Sequence, residues 1–241
     1  VIADTLAPYV DIIYENYSSL DGGVLLLGLI YFSFQIYCDF SGYSDIAIGT
    51  ARLFGIELNL NFKFPYHSKN ISEFWKRWHI SLSTWFRDYV YIPLGGSKNS
   101  RLNTYRNLLI VFTLSGLWHG ANLTFIFWGL YHVILYYIWI IIKLRFKSTS
   151  KIFDLLSIIY TYITVTIGWV FFRSETINDA FNYLKLSILK LNFPGELRSA
   201  LVYVIMIIIL DIILRNSSKD ILRNFHISKR LLFNSIIFIL I

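Results

Sequence analysis

Four apolar runs, residues 24–38, 105–142, 152–172 and 200–214, constrain the chain most, because they read as membrane-spanning helices and only internally paired backbone survives in hydrocarbon. The composition points the same way: 56% hydrophobic residues and only 15% charged ones lie outside the soluble range, where about 25% charge is ordinary. The expected fold class is therefore all-α, a polytopic transmembrane helical protein. Cys38 is the single cysteine, so it forms no intrachain disulfide, has no Cys partner for a metal cluster, and reads as a small buried apolar residue. The chain starts at Val1, has its only methionine at Met206, and ends in an apolar run of 11 residues, 231–241, too short to span a bilayer. The expectation is a fragment truncated at both ends, one partial transmembrane domain over residues 1–241, without internal repeat or second domain.

Charge orients it. Residues 1–21 carry Asp4, Asp11, Glu15 and Asp21 and no Lys or Arg, whereas residues 63–106 hold eight basic side chains against Glu73 and Asp88. By the positive-inside rule the first segment faces away from the cytoplasm and the block at about 62–107 faces it. Lys143, Arg145, Lys147 and Lys151 mark a second cytoplasmic loop, residues 173–198 are nearly balanced, and residues 215–230 are basic again. Residues 105–142 then lie between two cytoplasmic loops and must enter and return. Ser-Gly-Leu-Trp-His-Gly-Ala-Asn at 115–122 divides them into a short leg and a full-length one, a broken or re-entrant arrangement tolerated where backbone lines a cavity. The net charge of +7 follows from this topology and is not read as nucleic-acid binding.

Within the cytoplasmic block, Ile71, Phe74, Trp75, Trp78, Leu82, Trp85 and Phe86 fall at i, i+3, i+4, i+7, i+11, i+14 and i+15, one face of a helix. Asn70 and Glu73 have capping-box spacing. The prediction is a single interfacial helix at the inner leaflet with its aromatics sunk in the lipid boundary, ended by Pro93 and Gly95-Gly96.

Two histidines carry the strongest chemical signal. His119 falls inside a run that hydropathy assigns to the membrane, where desolvation favours the neutral imidazole that a general base needs; Gly116 and Gly120 are expected to open space around it. A hydrogen-bonded histidine inside a helix bundle is the plainer reading of the residue alone. His79 follows Trp78 on the predicted interfacial helix, where packing among tryptophans is the plainer reading. Lys76, Arg77 and Arg87 suit the phosphates of a donor, or equally anionic lipid. Arg87 and Asp88 read as a structural ion pair. Ser41 and Asp45 share a helix face and Asp39 ends an apolar span, so these three line a polar cavity or bond between helices. His67, His132 and His226 are assigned to packing or interface roles, and no metal-ligand spacing, phosphate loop, dinucleotide fingerprint or nucleophile elbow is present.

Residues 39–49, DFSGYSDIAIG, and residues 74–96, FWKRWHISLSTWFRDYVYIPLGG, followed by GLWHG at 116–120, resemble the membrane-bound O-acyltransferase family. Ile-Pro-Leu-Gly-Gly at 92–96 is more similar to the alginate O-acetyltransferase branch than to the teichoic-acid D-alanylation branch. The resemblance implies a helical ring around a polar funnel. On it Trp118-His119-Gly120 matches the family's catalytic histidine, and Trp78-His79 matches a second histidine on the cytoplasmic side of the acyl path, giving His79 donor positioning or an assisting catalytic role and Trp78 a substrate-binding place. It implies O-acetyl transfer from acetyl-CoA or another acyl thioester, with no bound cofactor, toward an exported polysaccharide such as alginate, at the bacterial cytoplasmic membrane. An extracytoplasmic serine-hydrolase-like acetyltransferase is the implied protein partner, beside membrane lipid. D-alanyl transfer to teichoic acid and a non-enzymatic channel or transporter are the alternatives.

The charge count makes a direct prediction. A cysteine introduced at Lys98 should react with a membrane-impermeant maleimide only from the cytoplasmic side, and one at Asn178 only from the other; the reverse labelling would invert the topology.

Overall fold

The computed structural model describes residues 1–98, 100–142, 150–192 and 197–216. Lys143, Arg145, Lys147, His226 and the run 231–241 lie outside the described residues. Among those described, the regular elements are all helices, with no strand. Helix α1 (Ile2–Glu15) buries Leu6, Val10 and Ile13 at i, i+4 and i+7 against α2 (Gly22–Leu53). Helix α2 outruns the apolar stretch that predicted it: its 32 residues, roughly 48 Å, carry DFSGYSD in mid-helix instead of beyond a span's end. Burial does stop near the predicted boundary, since after Tyr37 only Ser44 and Ile48 are buried.

Helices α5 (Arg101–His119) and α6 (Leu123–Ile142) form an antiparallel hairpin, with Ser100 Oγ accepting from the Asn103 amide at 3.1 Å to cap α5. The chain thus doubles back on itself, but the first leg is not short. Its 19 residues, roughly 28 Å, continue through Ser-Gly-Leu-Trp-His, and the break is confined to residues 120–122. The two legs touch backbone to backbone at glycines: a Cβ on Gly116 would lie 2.4 Å from the Phe125 carbonyl oxygen, and one on Gly129 2.3 Å from that of Phe112. Helix α7 (Lys151–Arg173) packs on both α6 and α2, and α8 (Ile177–Leu189) lies across the start of α2, where the buried Tyr183 hydroxyl donates to the Leu25 carbonyl at 2.7 Å. Helix α9 (Leu201–Asn216) meets α2 at Asp211, which accepts from the Tyr37 hydroxyl at 3.3 Å. Of these helices, α2, α6 and α7 are long and apolar enough to cross a membrane.

Residues 71–91 differ most from expectation. Instead of one amphipathic helix there are three pieces: α3 (Ile71–Trp75), α4 (Ile80–Phe86) and a π-helical turn at Arg87–Tyr91, with His79 left-handed at φ 43° between the first two. Nor do the aromatics face lipid, for Phe74 and Trp78 are buried in the protein core and only Trp85 is half exposed. The segment runs along α7. Lys69 Nζ meets Asp154 at 2.6 Å near the start of α7, while the Trp78 ring lies 4.9 Å from that of Trp169, roughly 22 Å further along its axis. Half of the predicted capping box forms: Asn70 Oδ1 accepts from the Glu73 amide at 2.9 Å, but the Glu73 carboxylate reaches the amide of Lys69.

The ends of the bundle sort by charge pattern. Asp11 pairs with Arg173 at 2.8 Å and Asn122 donates to the Glu175 carbonyl at 2.8 Å, so residues 1–21, the α5–α6 turn and the start of the 173–198 segment gather at one end. The Lys69–Asp154 pair lies toward the opposite end of α7. Gly116→Val would drive a branched side chain into the α6 backbone, and such overpacking costs about 1–3 kcal/mol. The detergent-solubilised variant should melt several degrees lower by intrinsic fluorescence; an unchanged melting curve would contradict the close hairpin.

Candidate active site

A cavity of about 610 Å³ lies between α5, α6, α7 and the broken segment 71–91. Its longest wall is α5, which contributes Thr104, Leu108, Val111, Phe112, Ser115 and His119. These fall at i, i+4, i+7, i+8, i+11 and i+15, a single helix face roughly 22 Å long. Tyr91, Ser97 and Thr104 mark one end, and His119, Trp128, Trp169 and Phe172 the other. Lys76, Trp78, His79 and Arg87 are on the same wall set.

His119 is the last residue of α5, with its ring edge-on to Trp128 at 5.3 Å and to Phe172 at 5.0 Å. His79 sits at the break between α3 and α4, perpendicular to Phe40 at 4.6 Å and 6.0 Å from Trp118, the neighbour of His119. The predicted separation, with His79 on the membrane surface and His119 deep, is therefore replaced by two imidazoles on one cavity. The cause is packing, since burying the Trp78 ring between Tyr37, Phe62, Phe74 and Trp169 carries His79 in with it. Glycine does not make the room: Gly116 is filled by the α6 backbone, and a Cβ on Gly120 would lie 2.7 Å from the Phe125 ring.

The other predicted residues divide. Lys76 is exposed and lines the cavity, whereas Arg77 does not line it and is held by Glu73 at 2.5 Å. Arg87 lines it while donating to both carboxylate oxygens of Asp88, at 2.7 and 3.1 Å, and this bond holds the Asp88 carboxyl below the usual carboxylate range. Asp39, Ser41 and Asp45 are not on this cavity's wall, because the α2 face turned toward it is that of Ile36 and Phe40. His132 packs as expected, fully buried and ringed by Trp75, Trp128 and Tyr131 at 5.0 to 5.5 Å. His67 is half-buried in the turn before α3, and burial, reinforced by the charges of Arg215 and Arg77, lowers its pKa. Among the described residues no three His, Cys, Asp or Glu side chains are gathered as metal ligands.

Sequence reasoning passed over Ser115 and Tyr136. Ser115 lies one turn before His119 on the same face, a spacing visible in the sequence. Tyr136, hydrogen-bonded to Ser72 Oγ at 3.0 Å, gave no signal before α3 was seen to pack on α6.

These features define a polytopic helical membrane protein with a histidine-bearing internal cavity. A sequence model of the membrane-bound O-acyltransferase family matches residues 23–173, and the chain belongs to that family. It is similar to the probable alginate O-acetylase AlgI of Pseudomonas putida, at 45% identity over 181 residues covering 74% of this chain and 36% of that protein. It is also similar to the peptidoglycan O-acetyltransferase of Helicobacter pylori, at 40% identity over 77% of this chain and 35% of the relative. The teichoic acid D-alanyltransferase of Bacillus subtilis is 32% identical over 66% of this chain and 44% of its own length. The chain spans about a third of the length of the first of these relatives.

The packing around Trp78 sets a measurable contrast. Trp78→Ala should cost about 3–5 kcal/mol, read as a lower denaturation midpoint of the solubilised protein, whereas Trp85→Ala should change it by no more than about 0.5 kcal/mol. Equal effects would mean that Trp78 is not the buried ring of the pair.

Proposed function

We propose that the protein is a membrane O-acyltransferase of the bacterial cytoplasmic membrane, passing an acetyl group from a cytoplasmic thioester such as acetyl-CoA toward an exported cell-surface polysaccharide. The observation that carries this reading is the single cavity holding both His79 and His119 together with Lys76 and Arg87. Similarity to O-acetyl-transferring relatives at 45% and 40% identity supports acetyl as the group and alginate-like polysaccharide as the acceptor class.

In this mechanism the acyl thioester lies along the α5 face, its donor phosphates near Lys76 and Arg87. Arg77, committed to Glu73, is left out. His79 orients the donor. His119 accepts the proton of the attacking hydroxyl, whose oxygen forms an ester bond to the acyl carbon while the carbon–sulfur bond breaks. The thiolate leaves and takes up the proton, so the imidazole returns to its starting state. The aromatic wall of Trp128, Trp169 and Phe172 keeps water from competing with the acceptor. The attacking hydroxyl is that of an extracytoplasmic serine-hydrolase-like partner, which relays the acetyl group to the polysaccharide.

The test uses the full-length protein in vesicles with labelled acetyl-CoA. His119→Gln should lower label transfer about 10²-fold or more while donor binding persists. His79→Gln should raise the donor concentration required and leave turnover at saturation. Near-normal transfer by His119→Gln, or transfer of D-alanine from a carrier protein in place of acetyl, would overturn the assignment, as would a solute flux indifferent to acyl donor.

A further inference from the structure

His79 adopts a left-handed backbone, φ 43° and ψ 57°, which L-residues with a Cβ hold only where the surroundings enforce it. The surroundings here are a short irregular stretch of chain, residues 61–63, and most of the bonds converge on one side chain. The Asn61 carbonyl accepts from the Ile80 amide at 2.9 Å. Asn61 Oδ1 accepts both from the Ser81 amide at 3.1 Å and from the Ser81 hydroxyl at 2.7 Å. On the other side Asn61 Nδ2 donates to Ser44 Oγ on α2 at 3.3 Å, and the Lys63 amide donates to the Arg77 carbonyl at 3.0 Å. The first two amides of α4, which would otherwise lack partners, are thus satisfied by a single residue 19 positions before the helix begins.

We propose that Asn61 is the positioning residue of the site, a clamp that fixes the start of α4 to α2 and so holds His79 in the left-handed conformation that turns its ring onto Phe40 and the cavity. The geometry explains why an amide suits this place. Its oxygen accepts two bonds while its nitrogen donates a third, and neither leucine nor serine offers both at that reach. The proposal rests on the reading of His79 as the residue that orients the donor.

Two measurements on full-length protein test it. In the transfer assay, Asn61→Ala should raise the donor requirement about tenfold, as His79→Gln does, and the double variant should be no worse than His79→Gln alone, since coupled residues are not additive. Asn61→Asp retains the acceptor for Ser81 and should restore most of the function. Independently, carbethoxylation of His79 by diethyl pyrocarbonate, read by mass spectrometry, should accelerate about tenfold in Asn61→Ala and little in Asn61→Asp. Additive losses in the double variant, or an unchanged modification rate of His79, would overturn the clamp and leave Asn61 with a merely structural part. A His79→Gln protein with a normal donor requirement would instead overturn the reading of His79 itself, whatever the modification rate shows.

Discussion

The structure depends on the burial of the Trp78 ring. Tyr37 from α2, Phe62 and Tyr66 from the connecting segment, Phe74 from α3 and Trp169 from α7 all lie within 4.9 to 6.2 Å of it, ring centre to ring centre. Each such pair contributes about 0.5–1.5 kcal/mol beyond the area it removes from water or lipid. Together they outweigh the cost of breaking a helix at Lys76–His79, where several amides need new acceptors and His79 takes a strained backbone. Without that anchor, residues 71–86 have the pattern of a continuous amphipathic helix that would lie on a membrane. With it they run along α7 and bring His79 to the cavity.

This is also where the sequence stopped being informative. The helical class, the division of residues 105–142 into two helices, the capping role of Asn70 and the Arg87–Asp88 pair were legible, because each follows from hydropathy, helix spacing or neighbouring charge. The break at His79 was not, since a 3.6-residue period reports which side chains share a face and not whether that face meets lipid or another helix. Aromatic residues at membrane depth serve both purposes equally well. The same ambiguity misplaced Asp39, Ser41 and Asp45, whose helix continues past the apolar run and turns Ile36 and Phe40 to the cavity instead. Gly116 read as space and proved to be contact, because a missing side chain invites a neighbouring backbone when helices are closely packed.

Both histidines singled out from the sequence line the cavity, but their relation was not legible there. Proximity along the chain gives no distance between residues 40 positions apart, and the fold closes that distance through α5, whose cavity face ends at His119 beside Trp118 and His79. One continuous wall from Thr104 to His119, roughly 22 Å long, joins the Tyr91–Ser97 end of the cavity to the end that holds the imidazoles.

The juxtaposition of the α3–α4 break with the end of α5 is the central claim, and a cross-link measures it most directly. In a Cys38→Ser background, the His79→Cys/Trp118→Cys pair should be joined in high yield by a short bifunctional thiol reagent, identified as one cross-linked peptide after proteolysis. If only long reagents join the pair, or none does, residues 71–86 lie apart from α5 and the shared cavity does not exist.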